Sequence, residues 1–236
     1  MSASNSSAYP PYERMRTGLC LAAVGGFLEA YTYTLKGGVF ANAQTGNLVL
    51  FALRLTQAQW GAALEAAAPI AAFFLGILLT ERLKRLPARR GLFQWHCIAV
   101  CGECALLFCV AWFPASLPDF ATTLAVSFVC SIQYDSFQKT HGRPFATTFC
   151  TGNLRSTGMQ LARCLYDHDK PARHAARRYV EVIGVFLLGA VTGGLCSRQF
   201  GQPAVLVCCA LLLAVLAAFL VEAKHDAKSP AGPAAK

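Results

Sequence analysis

Phe40-Ala41-Asn42-Ala43-Gln44-Thr45-Gly46-Asn47-Leu48 returns later in the chain as Phe145-Ala146-Thr147-Thr148-Phe149-Cys150-Thr151-Gly152-Asn153-Leu154, and Gly37 matches Gly142 just ahead of each copy. Each copy follows a long apolar segment, so the motif marks an internal duplication of the whole region rather than a chance echo. Two weakly apolar, glycine-broken stretches at matching places in two halves are the usual sequence sign of a membrane transport site.

Working outward, the 236 residues are 55% hydrophobic and only 14% charged, against roughly a quarter charged in an ordinary soluble domain. That composition excludes a soluble enzyme or a nucleic-acid-binding domain and predicts an all-α, polytopic membrane bundle. Runs of at least about 18 apolar residues mark crossings, and six are read: 17–35, 62–80, 93–113, 120–138, 178–197 and 203–221. The net charge of +9 lies in short connections, where Lys and Arg report orientation and not a polyanionic partner. Eleven cysteines sit almost wholly inside the proposed crossings as small hydrophobes, so no disulfide is expected.

The two most basic connections hold Arg82, Lys84, Arg85, Arg89 and Arg90, and Arg163, Lys170, Arg173, Arg177 and Arg178. Both are therefore expected on the cytoplasmic side of the membrane, together with both termini. Two crossings separate those connections, so segment 145–162 must dip in and return, and by duplication segment 40–57 dips from the opposite face. The alternative, eight crossings with parallel halves, places a basic loop on the wrong side. The expected organisation is a disordered tail over 1–16, membrane repeats at 17–113 and 114–222, and a disordered tail over 223–236.

Non-helical backbone at membrane depth must be shielded or line a wet cavity, and the Thr-Gly-Asn step suits such a break. Asn42, Gln44, Thr45, Gly46 and Asn47, with Thr151, Gly152, Asn153 and Arg155, are the expected substrate-binding residues at half-helix amino ends that carry partial positive charge. The alternative is a polar break serving only helix packing. Glu29 and Asp135 fall one position apart in the two aligned halves, since Glu29 pairs with Tyr134. With Glu103, they are expected to couple protons or to support the site, Glu29 and Asp135 in the second case bonding backbone amides of the broken segments with Arg155 or Lys139 as countercharge. Cys101 and Cys104 form a Cys-x-x-Cys whose helical spacing fits a packing face better than a redox pair. Glu181 is expected to pair with Arg177 or Arg178, and Gly189-x-x-x-Gly193 to let two helices approach closely.

The runs Val24–Tyr31, Gly37–Asn47, Phe145–Ser156 and Gln133–Lys139 resemble the YoaK family of bacterial multi-spanning membrane proteins, over about residues 17–222. The resemblance implies a cytoplasmic-membrane protein and assigns no activity. The leading expectation is a small-solute permease, with proton coupling suggested by the buried acids and no enzymatic step. The other readings are a membrane thiol oxidoreductase using Cys101 and Cys104, and an assembly or sensory membrane protein. No cofactor or metal is expected; the expected partners are the lipid bilayer and a small solute or anion, with no nucleic acid, and the sequence is compatible with a homo-oligomer.

Overall fold

The computed structural model describes residues 9–85, 92–114, 116–145, 147 and 150–228. Among the described residues eight α-helices run in chain order: α1 Met15–Leu35, α2 Gln44–Thr56, α3 Trp60–Lys84, α4 Leu92–Ala111, α5 Asp119–Ser136, α6 Cys150–Tyr166, α7 Lys170–Phe200 and α8 Leu206–Lys228. A two-residue-per-strand antiparallel ribbon, β1 Lys139–Thr140 and β2 Arg143–Pro144, joins α5 to α6. The protein is all-α and membrane-embedded.

End contacts fix the direction of each helix. The start of α1 meets the end of α8, where Arg14 and Arg16 both pair with Glu222. Its far end meets the start of α5 through Lys36 and Asp119 at 3.0 Å, so α1 and α5 are antiparallel. Lys84 at the end of α3 reaches Asp135 at the end of α5 at 2.6 Å, which makes those two parallel. Gln202, just past α7, donates to the carbonyls of Val110 and Phe113 at 2.9 Å each, bringing the end of α7, the start of α8 and the end of α4 together. One end of the bundle therefore collects Arg14, Arg16, Lys84, Lys139 and Lys170, and six long helices connect it to the other.

Helices α2 and α6 do not make that journey. At 13 residues, α2 is about 20 Å long, against a hydrocarbon core of about 30 Å. It starts beside Glu29, deep in α1, and ends where Arg54 donates to the carbonyls of Gly37 and Ala62, back at the face from which the chain came. Thr147, before α6, accepts from Gln133, which also donates to the Leu21 carbonyl. From that depth α6 returns to the basic end, where Arg163 pairs with Asp169 just ahead of α7. Both short helices start deep in the bundle and run back toward the end from which the chain came, and they do so from opposite ends.

Glycine contacts repeat across the halves. A Cβ added at Gly189 of α7 would collide with the Ala23 carbonyl of α1, and one at Gly76 of α3 would press on the Phe128 carbonyl and collide with Ser131 of α5. In the register that sets Glu29 against Tyr134, Ala23 falls against Phe128, so these are one contact made twice. Gly193 likewise lies against the Phe27 backbone and Gly26 against that of Phe186, giving Gly189-x-x-x-Gly193 its packing role on α1.

Among the described residues, three helices are long and apolar enough to cross a membrane, α3, α7 and the Gln202–Glu222 stretch, and Trp95–Ala111 is a shorter apolar helix. The remaining expected crossings, α1 and α5, are less apolar because they are central. On α5, Thr122, Thr123, Ser127, Ser131, Gln133 and Asp135 are all buried, and α1 buries Leu21, Val24, Phe27, Leu28 and Tyr31. Outward rows such as Leu187, Leu188, Val191 and Leu195 on α7 are more than half exposed, as a lipid-facing surface requires. Trp60 and Trp112 are exposed at the non-basic end, where aromatic side chains anchor a bundle at the interface.

The expected tail over 1–16 is ordered from residue 9. Pro11–Glu13 forms a 3-10 turn, Tyr12 stacks on His96 with centroids 3.9 Å apart, and Tyr9 stacks on His141. Helix α8 runs on to Lys228. Residues 1–8 and 229–236 of the expected tails, and Arg89 and Arg90, lie outside the described residues.

Candidate functional site

Following Lys36, Gly37 and Gly38 take φ of +70° and +67°, a conformation open to glycine at little cost, and the chain folds back along α1. That reversal places the Asn42 and Ala43 amides on the Glu29 carboxylate, at 2.8 and 3.1 Å. A carboxylate thus sits on amides just ahead of α2, where the helix dipole and the free N–H groups favour negative charge. The Asn42 side chain donates to the Gly25 carbonyl at 3.4 Å. Gln44 donates to the Ala41 carbonyl and to Ser127 of α5 at 2.8 and 2.9 Å. Asn47 is fully buried; it accepts from the Phe40 amide and donates to the Phe40 carbonyl and to Gln44 at 3.0, 2.7 and 3.0 Å. Gly46 packs on the Phe40 ring, and Thr45 is exposed.

In this first copy the motif binds itself. Asn47, Gln44 and Asn42 are struts that hold the chain reversal, and the amino end of α2 is already occupied by the protein's own carboxylate. Such bonds answer the demand that buried polar groups find partners.

The second copy differs where it counts. Tyr134 stands in the place of Glu29 and lines an open cleft of about 410 Å³ with Gln138, Pro144, Phe145, Gly152, Asn153, Arg155 and Ser156. Asn153 is buried, as is Asn47, and Thr157 donates to its carbonyl at 2.8 Å. Thr151, Gly152 and Arg155 are exposed. Gln138 and Pro144, past the end of α5, border the cleft on the side of the basic end, and Gly152, Asn153 and Arg155 border it at the start of α6. The Cys150 thiol at the first residue of α6 and Cys130 on α5 both lie within electrostatic range of the Glu29 carboxylate.

The other acids separate. Asp135 is not beside Glu29; it lies at the basic end, paired with Lys84 and accepting from Gln138 at 3.1 Å. Its cation is therefore Lys84 of α3, in place of the expected Arg155 or Lys139. Glu103 is completely buried on α4, and among the described residues neither of its carboxyl oxygens has a partner. Glu181 pairs with Arg177 at 2.8 Å.

All eleven cysteines are free thiols. Cys101 is exposed on the outer face of α4, while Cys104 turns toward α8, its Sγ 3.9 Å from the Cys209 carbonyl. The two thiols of the Cys-x-x-Cys face different surroundings. Among the described residues, no group of three or more His, Cys, Asp or Glu side chains is placed to hold a metal ion.

Sequence reasoning missed Lys84, Ser127, Gln133 and Tyr134. A readable signal existed for Ser127 and Gln133: α5 carries too many polar side chains for a lipid-facing helix, so those groups had to bond inside the bundle.

No curated protein and no solved structure matches the chain. A family model described as "Protein of unknown function (DUF1275)" matches residues 17–218, and the chain belongs to that family.

Proposed function

We propose that the protein is a permease of the bacterial inner membrane that carries a small anionic solute, taken up in the cleft at the start of α6 from the cytoplasmic, basic end. The observation that carries this reading is the difference between two copies of one motif. In the first, the Glu29 carboxylate rests on the Asn42 and Ala43 amides ahead of α2. In the second, Tyr134 stands in its place, and a 410 Å³ cleft bordered by Gly152, Asn153 and Arg155 opens instead. A solute carboxylate there meets the same half-helix field that Glu29 meets in the first copy, with the Arg155 guanidinium as a bidentate partner.

The YoaK resemblance and the family match cover the same stretch and agree with a membrane location. The cleft beside the second backbone break supports transport over sensing, since irregular backbone at this depth is tolerated only where protein or a cavity surrounds it. The reading includes no covalent chemistry. The divergent surroundings of Cys101 and Cys104 weigh against a redox pair, which needs a shared, reachable site.

Thermal unfolding of the purified protein against small mono- and dicarboxylates and inorganic phosphate tests the reading. A ligand at one hundred times its Kd adds about 2.7 kcal/mol to the native state, so at least one anion should raise the midpoint. Arg155→Ala should abolish that rise and leave the unliganded midpoint unchanged, because Arg155 is exposed. Stabilisation only by neutral or cationic solutes, or a full shift retained in Arg155→Ala, would contradict it.

A further inference from the structure

Three buried oxygen atoms in the middle of the bundle lack a hydrogen-bond partner among the described residues: Oε1 and Oε2 of Glu103 and Oδ1 of Asn42. Both residues are fully buried. All three atoms are acceptors in an ionised carboxyl and an amide, so what is missing is hydrogen.

They are grouped around Cys130 of α5: Asn42, Glu103 from α4, Glu29 from α1 and Cys208 from α8 all lie within electrostatic range of that thiol. No cationic group among the described residues acts on Glu103. Val100 and Leu107, one turn to either side of it on α4, are fully buried in the apolar core with Val126, Val129 and Leu212.

The three acids therefore divide by chemistry. Glu29 accepts two backbone amides and Asp135 holds Lys84. Among the described residues Glu103 has neither amide nor cation, and an isolated charge in such a place neutralises itself by taking a proton. With that proton, one of its oxygens becomes a donor.

We propose that Glu103 is the bound-proton site of the protein: loaded in the present conformation, and discharged when α4 and α5 part and water reaches the carboxyl. One O–H bond forms on Glu103 with a proton drawn from water at one face, and the same bond breaks to release the proton to water at the other. Its use in transport rests on the permease reading, whereas protonation of Glu103 does not.

Infrared spectroscopy of the purified protein in lipid nanodiscs at neutral pH tests this. The wild type should show the carbonyl stretch of a protonated carboxyl, and that band should move to lower frequency in D2O while the protein stays folded. Glu103→Gln should lose the band, and Glu29→Gln and Asp135→Asn should keep it. Glu103→Leu, which removes the unpartnered group altogether, should lose the same band and serves where the Gln variant does not fold. A wild type without the band, a band retained in the Glu103 variants, or one that never exchanges in D2O would overturn the proposal. Failure of the anion thermal shift would overturn the permease reading alone.

Discussion

Glu29 does in the first half what a ligand is proposed to do in the second, and the two roles call for opposite mutational outcomes. Removing the Glu29 carboxylate strands two amides; at about 1–3 kcal/mol for each buried donor left unsatisfied, Glu29→Ala should lower the melting midpoint sharply. Asn47→Ala should do the same, because it strands both the amide and the carbonyl of Phe40, with a loss of about 2 kcal/mol or more on that scale. Scanning calorimetry of the two variants beside Arg155→Ala separates struts from ligand contacts. His141 supplies a pH test. Its Nε2 accepts from the Met15 amide at 3.2 Å, so it is neutral there, and burial followed by the nearby Arg178 holds its pKa below the usual 6.5 while Glu13 pulls the other way. A histidine whose folded pKa is depressed leaves stability untouched above the unfolded value and removes it as pH falls through 6.5 toward the folded value. The protection factor of the Met15 amide, its exchange measured against the intrinsic rate at the same pH, should therefore fall below about pH 6.5, and His141→Gln should erase that pH dependence; an unchanged profile would show that His141 does not hold the start of α1.

Helix contacts give sharper tests than any single hydrogen bond. Gly26, Gly189 and Gly193 lie against facing backbone, whereas a Cβ at Gly184 or Gly194 of α7 meets open space. Gly189→Ala should cost at least about 1–3 kcal/mol by overpacking. Gly194→Ala should be neutral or stabilising by up to about 1 kcal/mol, from helix propensity alone. Equal effects at the two positions would refute the α1–α7 packing. How far these elements were readable follows from locality. The duplicated motif and the basic connections are short-range patterns, and they sufficed for the long helices and for two dips of opposite sense. Partners were not readable. Lys84 and Asp135 are 51 positions apart, and the hold of Asn42 on Glu29 depends on a reversal at Gly37 and Gly38 that leaves no periodic trace. Asn47 and Asn153 looked alike in sequence because the motif is repeated; only the neighbour across the bundle, Glu29 or Tyr134, tells them apart. Glu103 could be placed deep in α4 from the sequence, but its lack of a partner depends on what α5 and α8 present to it.

Across the whole bundle, the two halves meet at matching latches. Lys36, at the end of α1, reaches Asp119 at the start of α5 and Gln202 at 3.0 and 3.1 Å. In the aligned register His141 occupies the place of Lys36; it follows α5 and bonds the start of α1 through the Glu13 carbonyl at 2.7 Å. A bundle with such antiparallel halves can exchange the state of its two ends by rocking one half on the other, which fits a cleft open at the basic end while Lys36, Asp119, Gln202 and Tyr31 tie the opposite end together. All of this requires that α2 and α6 turn back, each toward its own face. Single cysteines placed in a cysteine-free background at Lys36, Gln57, Lys139 and Asp167, then labelled in intact cells with a membrane-impermeant thiol reagent, measure that directly. The account predicts that Lys36 and Gln57 react from outside and that Lys139 and Asp167 react only after the membrane is opened; labelling of the two flanks of either short helix from opposite faces would contradict it.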